Sequence, residues 1–201
     1  MKTALTILLL SLLASTSLLG NLKGKVLALG DSLTFGYGLE QQHSWPSLLE
    51  EKLDREFVNA GTSGATTAFG LPTLKFHLKR YTPSLVVYAL GANDALRGID
   101  PKVTYKNMKE TIEFLKAKNI PVVLLGMKAP PNYGEKFPKE FESLYPKLAK
   151  EFKLPLYPFL LEGIAGNPKL NLADGIHPNK EGYKIIAQNL EPFFKDFYDA
   201  K

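Results

Sequence analysis

Three short apolar runs without alternation constrain this chain most. Lys25-Val26-Leu27-Ala28-Leu29, Leu85-Val86-Val87-Tyr88-Ala89-Leu90 and Pro121-Val122-Val123-Leu124-Leu125 would each present apolar side chains to both sides of a strand. A sheet with one wet face reads as alternation, so these runs point to parallel strands covered on both faces. Phe57-Val58-Asn59-Ala60 and the shorter Pro155-Leu156-Tyr157 add two further candidate strands. Helical patterns lie between and after them. Ser44-Trp45-Pro46 opens one that reaches Arg55, with Pro46 in the first turn, where a missing N–H costs nothing. Asp100-Pro101 opens another, in which Tyr105, Met108, Ile112 and Leu115 recur at helical spacing. Phe137-Pro138 opens a third carrying Phe141, Leu144 and Leu148, and Asn179 caps a last one through Tyr183, Ile186, Leu190 and Phe194. Strand–helix alternation predicts a doubly wound α/β fold, a three-layer α/β/α sandwich.

The chain has 201 residues, 45% of them hydrophobic, which suits one domain with a substantial core. No internal repeat or linker divides it. The formal net charge of +5 is scattered, with no basic stripe interleaved with aromatics, so a solvated lysine-rich surface is favoured over a nucleic-acid site. Cysteine is absent, which excludes disulfides, thiolate nucleophiles and cysteine metal sites.

Residues 1–20 have the layout of a secretory signal peptide: Lys2, then an apolar run from Ala4 to Leu19 broken by small residues, then Gly20. Residues 21–201 form the mature domain on this reading, and the expected location is periplasmic or secreted. An uncleaved anchor is the rival reading, and it is the one route to membrane contact. The run falls short of the ~20 apolar residues a spanning helix wants. Ser17-Leu18-Leu19-Gly20-Asn21 resembles a lipoprotein signal with Asn21 where the acceptor cysteine would stand, and without a thiol no lipid can be attached there.

Polar residues gather after the apolar runs. Gly30-Asp31-Ser32-Leu33 follows the first, Gly61-Thr62-Ser63-Gly64 the second, and Gly91-Ala92-Asn93-Asp94 the third. Open α/β sheets place their chemistry at these strand ends. A serine hydroxyl needs a base, usually a histidine oriented by a carboxylate. Of the three histidines, His43 has no carboxylate in a fixed local relation, and His77 sits in a helical pattern. His177 follows Asp174 by three positions in a glycine-containing turn, and Pro178 biases it to an extended backbone. Two readings of that segment stand: a base with its orienting carboxylate, or a turn-stabilising Asp beside a surface His. A tetrahedral intermediate also needs preorganised donors. The Ser32 amide, the Gly64 amide and the Asn93 side chain could supply them, although Gly64 alone reads as a turn glycine and Asn93 as a cap. Ser63 is a second candidate serine, set behind Ser32 because Ser32 directly terminates the first strand. Asp31 reads as a structural hydrogen-bonding residue, and Asp94 and Arg97 as loop hydrogen bonds or a surface pair. No metal-ligating cluster or phosphate loop is present, so no metal or nucleotide cofactor is expected.

At these residues the chain resembles the SGNH, or GDSL, hydrolase family, in particular its bacterial periplasmic branch of thioesterases, lysophospholipases and arylesterases. The matching segments are Gly30-Asp31-Ser32-Leu33, the Gly64 turn, Gly91-Ala92-Asn93-Asp94 and Asp174-Gly175-Ile176-His177-Pro178-Asn179. Further likeness runs through Leu96-Arg97-Gly98, Pro131-Asn132-Tyr133-Gly134 and Tyr145-Pro146-Lys147-Leu148-Ala149-Lys150-Glu151-Phe152. The resemblance implies a five-stranded parallel sheet of flavodoxin-like type. It implies Ser32 as nucleophile, His177 as general base, Asp174 as its partner, and an oxyanion hole of the Ser32 and Gly64 amides with Asn93. It implies that the Met127–Phe137 loop borders an acyl site, with Ala129, Pro130 and Tyr133 as substrate contacts. The expected substrate is a small acyl ester, thioester or lysophospholipid, with no cofactor, nucleic acid or obligate protein partner. A carbohydrate O-deacetylase on the same fold and a non-catalytic lipid carrier are the alternatives.

Overall fold

The computed structural model describes residues 24–200, so the expected signal segment lies outside the described residues. The strands are β1 (Val26–Gly30), β2 (Phe57–Gly61), β3 (Leu85–Ala89), β4 (Val122–Leu125) and β5 (Leu156–Tyr157). The helices are α1 (Ser32–Phe35), α2 (Trp45–Leu53), α3 (Gly70–His77), α4 (Ala92–Leu96), α5 (Pro101–Ala117), α6 (Lys136–Glu142), α7 (Leu144–Phe152) and α8 (Lys180–Asp199). All strand pairs are parallel, in the order β2-β1-β3-β4-β5. The order reverses between β1 and β3. Chain connections leave that point in opposite directions and open a crevice at the strands' carboxyl ends.

Every residue of β1, β3 and β4 is buried, as non-alternating runs require. The helices form two packed groups, α2 with α8 and α3 with α5, α6 and α7. Met108, Ile112 and Leu115 of α5 are wholly buried, while Tyr105 is only half-buried. In the other group Trp45 meets Phe57 edge-on at 6.3 Å, and Phe57 meets Phe194 of α8 at 6.4 Å.

Two helices depart from the sequence pattern. The helix expected from Phe137 through Leu148 is broken at Ser143 into α6 and α7. Pro146 has no N–H to reach the Glu142 carbonyl, so the ladder cannot run through, and Ser143 Oγ turns back to donate to Glu140 O at 2.6 Å. Conversely, α8 runs past Pro192 to Asp199. Buried Leu190, Phe194 and Phe197 on its inner face hold both halves of the helix against the core, although the proline leaves the Gln188 carbonyl without its helical donor. Asn179 caps it, its Oδ1 accepting from Glu181 N at 3.0 Å and Gly182 N at 3.1 Å.

Pro192 is exposed, so its replacement removes little packing. Pro192→Ala is expected to stabilise the protein by roughly 1–3 kcal/mol in urea unfolding, the helix-interior cost of proline less its restraint of the unfolded chain. A destabilised variant would mean that a kink here is needed.

Candidate active site

β1 delivers the chain to the crevice, and Asp31 turns it. Its Oδ1 accepts from Leu33 N at 2.9 Å and so starts the one-turn helix α1 with Ser32 as its first residue. Two long side chains hold that turn from outside. Asn59 Nδ2 donates to Thr34 O at 2.8 Å, and Tyr183 Oη of α8 donates to Leu33 O at 3.0 Å.

His177 reaches Ser32 from the loop before α8, 145 positions away in sequence. Asp174 builds that loop. Its Oδ1 accepts from the backbone amides of Ile176 and His177, each at 3.0 Å, which directs Oδ2 to His177 Nδ1 at 2.7 Å. An ionised carboxylate only accepts, so Nδ1 carries the proton and Nε2 is left as an acceptor. Nε2 lies 2.9 Å from Ser32 Oγ. Partial burial pushes the Asp174 carboxyl up, but the amide and imidazole hydrogen bonds outweigh it and hold the group down at about 2. Tyr37 covers the imidazole, its ring 4.5 Å from that of His177.

On the other side of Ser32 are Gly64 and Asn93. Gly64 has φ +77°, a conformation that favours glycine and turns its peptide groups into position beside the cavity. Asn93 Nδ2 donates one proton to Ala65 O at 3.0 Å, leaving its second N–H for another acceptor. Among the described residues the Ser32 and Gly64 amides have no backbone partner. Around them the loops are cross-tied. Arg97 Nη2 donates to Gly64 O at 2.9 Å. Asp94 is wholly buried and accepts from Thr67 N at 2.8 Å, Thr67 Oγ1 at 2.5 Å and Thr104 Oγ1 at 3.2 Å. Asp94 is therefore an internal acceptor, not one half of a surface pair.

These groups open on a cavity of about 780 Å³, a size that suits a small ligand. Leu96, Ala129, Pro130, Phe159, Leu161 and Ile176 are among its lining residues. Tyr133 is outside the lining; its hydroxyl donates to Leu96 O at 2.8 Å behind the wall. The structure thus brings together Ser32, Gly64, Asn93, Asp174, His177, Ala129 and Pro130, and leaves Tyr133 apart. Sequence reasoning missed Tyr37 and the Phe159–Leu161 wall. The apolar triplet Phe159-Leu160-Leu161, directly after the fifth strand, was the available signal. Among the described residues no group of three or more His, Asp or Glu side chains could hold a metal ion.

The GDSL-like Lipase/Acylhydrolase family matches residues 28–185. An arylesterase from Vibrio mimicus is 41% identical over 169 residues, covering 82% of this chain and 84% of that one. Thioesterase 1/protease 1/lysophospholipase L1 from Escherichia coli K12 is 40% identical, covering 81% and 79%. The crystal structure of the psychrotrophic esterase EstA from Pseudoalteromonas sp., inhibited by monoethylphosphonate, superposes with a TM-score of 0.83 at 32% identity, covering 88% and 99%. The chain belongs to the GDSL-like lipase/acylhydrolase family. Its fold is that of the SGNH esterases, and it is a GDSL-type ester hydrolase.

Asp31 gives the site an unusual electrostatic element. It is wholly buried, and its Oδ2 makes no hydrogen bond of ordinary geometry among the described residues, although the Asn93 side chain is near enough to favour its charged form. Burial pushes its carboxyl up to about 7, against the pull of the Leu33 amide and with a further push from the Asp94 charge. An acid whose pKa is raised on folding is fully stabilising only below its unfolded pKa. That contribution is lost as pH climbs from near 4 through 7, up to roughly 4 kcal/mol over the full range. Asp31→Asn keeps the Oδ1 acceptor and cannot ionise. Relative to the unsubstituted chain, it should gain stability at pH 8 over pH 4 in urea unfolding; parallel pH curves would rule out a buried titration at Asp31.

Proposed function

We propose that the protein is exported by residues 1–20 and that its domain, residues 21–201, hydrolyses carboxylic esters or thioesters of short to medium acyl chains, lysophospholipids among them. One observation carries the chemistry. A continuous hydrogen-bonded path of 2.9 and 2.7 Å links Ser32 Oγ, His177 and Asp174 at the mouth of an apolar cavity. In the reaction proposed, Nε2 of His177 takes the Ser32 proton as Oγ attacks the substrate carbonyl. Asp174, ionised throughout the working pH range, stabilises the imidazolium and keeps its tautomer. Charge on the former carbonyl oxygen is met by the Ser32 and Gly64 amides and by the second N–H of Asn93. The imidazolium then protonates the departing alcohol or thiol. An acyl-Ser32 remains, and His177 activates water to release the acid.

The cavity's apolar lining supports an acyl chain over a sugar, which would want polar partners and stacking rings. The relatives named arylesterase and thioesterase/lysophospholipase support the same substrate range. Among the described residues no helix is long and apolar enough to cross a membrane; in this proposal the N-terminal segment is the part that would contact one.

The test is hydrolysis of p-nitrophenyl esters from acetyl to palmitoyl. Ser32→Ala is expected to abolish turnover with the fold retained. No turnover of any ester by the unsubstituted, folded chain would redirect attention to acetylated sugars or to lipid carriage. In the same assay Asn93→Ala should lower kcat by roughly 10²–10³, the usual loss for an oxyanion donor. An unchanged kcat would remove Asn93 from that role.

A further inference from the structure

Four aromatic residues spaced four apart form a ladder beside the cavity. Tyr133 packs on Phe137 at 5.1 Å, Phe137 on Phe141 at 6.0 Å, and Phe141 on Tyr145 at 6.0 Å. The inner end is fixed, since Phe141 and Tyr145 are buried and Tyr145 Oη donates to Leu90 O at 3.0 Å. At the outer end Tyr133 Oη donates to Leu96 O at 2.8 Å. The two hydroxyls therefore hold the segment from Leu90 to Leu96 at both of its ends, and that segment contains Asn93. Gly98 completes the outer grip. A Cβ built on it would stand 2.7 Å from Tyr133 Cε1, so the tyrosine ring lies flush against the backbone there.

The two ends of the ladder have different consequences. Near Leu90 the segment is also held by the Asp94 and Asn93 hydrogen bonds already described, so the oxyanion amide does not depend on Tyr133. Leu96 is different. It lines the cavity, as Ala129 and Pro130 do, and it is 41% exposed. Its carbonyl bond to Tyr133 ties the lining after β3 to the loop after β4, which supplies Ala129 and Pro130.

We infer that Tyr133 is a positioning residue for acyl-chain selection: outside the cavity, it fixes through Leu96 O the placement of Leu96 relative to Ala129 and Pro130, along which a long acyl chain lies. The inference rests on the ester-hydrolase reading of this cavity. On this inference an acetyl group, confined near Ser32, leans less on Leu96 than a longer chain does. A longer chain must lie along it, and if the wall is untethered, binding has to order it first. That cost falls on substrate and transition state alike, so it appears in KM and leaves kcat unchanged.

Tyr133→Phe removes the hydroxyl and keeps the ring stack. Over the ester series, KM for octanoyl and longer esters should rise roughly 3–10-fold, the worth of one partly exposed hydrogen bond. The kcat values, and both constants for the acetyl ester, should stay within about twofold on the same reasoning. Superimposable KM curves at every chain length overturn the inference while leaving the hydrolase reading intact. A kcat loss shared equally by acetyl and long esters also overturns it, because Tyr133 would then support the oxyanion amide. Absence of turnover by the unsubstituted chain would remove the hydrolase reading and this inference together.

Discussion

Burial of the sheet on both faces is the constraint from which the rest follows. Strands β1, β3 and β4 have no solvent-facing side, so none of them can display a polar group along its length. Functional side chains are displaced to the carboxyl ends, where the backbone leaves the sheet. The strand order places the ends of β1 and β3 side by side at the reversal point. Ser32 and Asn93 follow those two strands, Gly64 follows β2, and the Ala129–Pro130 wall follows β4. A site of this kind is assembled from loops, but each loop begins at a strand whose position is fixed by its neighbours.

Loops so placed must still be held to within a fraction of an ångström, and they hold one another. Arg97 reaches from the loop after α4 to Gly64, Asn93 reaches to Ala65, and Asp94 collects donors from the Thr67 turn and from α5. Buried Asp94 is matched by three donors, and such satisfied acceptors rigidify a structure. Asp31 is the contrast. One of its oxygens caps the Ser32 turn, and the other is buried without a hydrogen bond of ordinary geometry. The capping bond needs an acceptor oxygen, which the carboxylate supplies more strongly and the neutral acid still supplies. The same residue can therefore secure Ser32 at either ionisation, although ionisation costs stability.

The fold was legible in the sequence because it rests on periodicity. Continuous apolar runs marked β1, β3 and β4, shorter or interrupted ones marked β2 and β5, and Asn179 and Asp100 marked helix starts. Where two local rules competed, packing decided. Pro146 broke a helix that apolar spacing joined, whereas Pro192 failed to break one because buried rings hold both of its halves. Candidate site residues were legible where function demands a residue type after a strand. The cavity walls were less so. Tyr133 sits in an apolar loop beside two wall residues, and sequence position does not reveal that its side chain turns to Leu96 and away from the cavity. The Phe159–Leu161 wall follows a strand of only two residues, too short to announce an element whose exit is functional.

The arrangement also divides its precision unevenly along the chain. Asp174 and His177 are three residues apart, and two backbone amides fix the carboxylate before any tertiary contact is made. That half of the site is built locally. The distance from His177 to Ser32 spans 145 positions and has to be set by docking. α8 does this, since it begins two residues after Pro178 and carries Tyr183, whose hydroxyl bonds Leu33 O one residue beyond the serine. The helix is seated by its contacts with α2 and by Phe194 on Phe57. The Ser32–His177 separation is thus governed by how a buried aromatic face packs far from the reacting atoms. Under the mechanism proposed above, changes to that packing would be felt first as altered proton transfer, before any loss of the local Asp174–His177 pair.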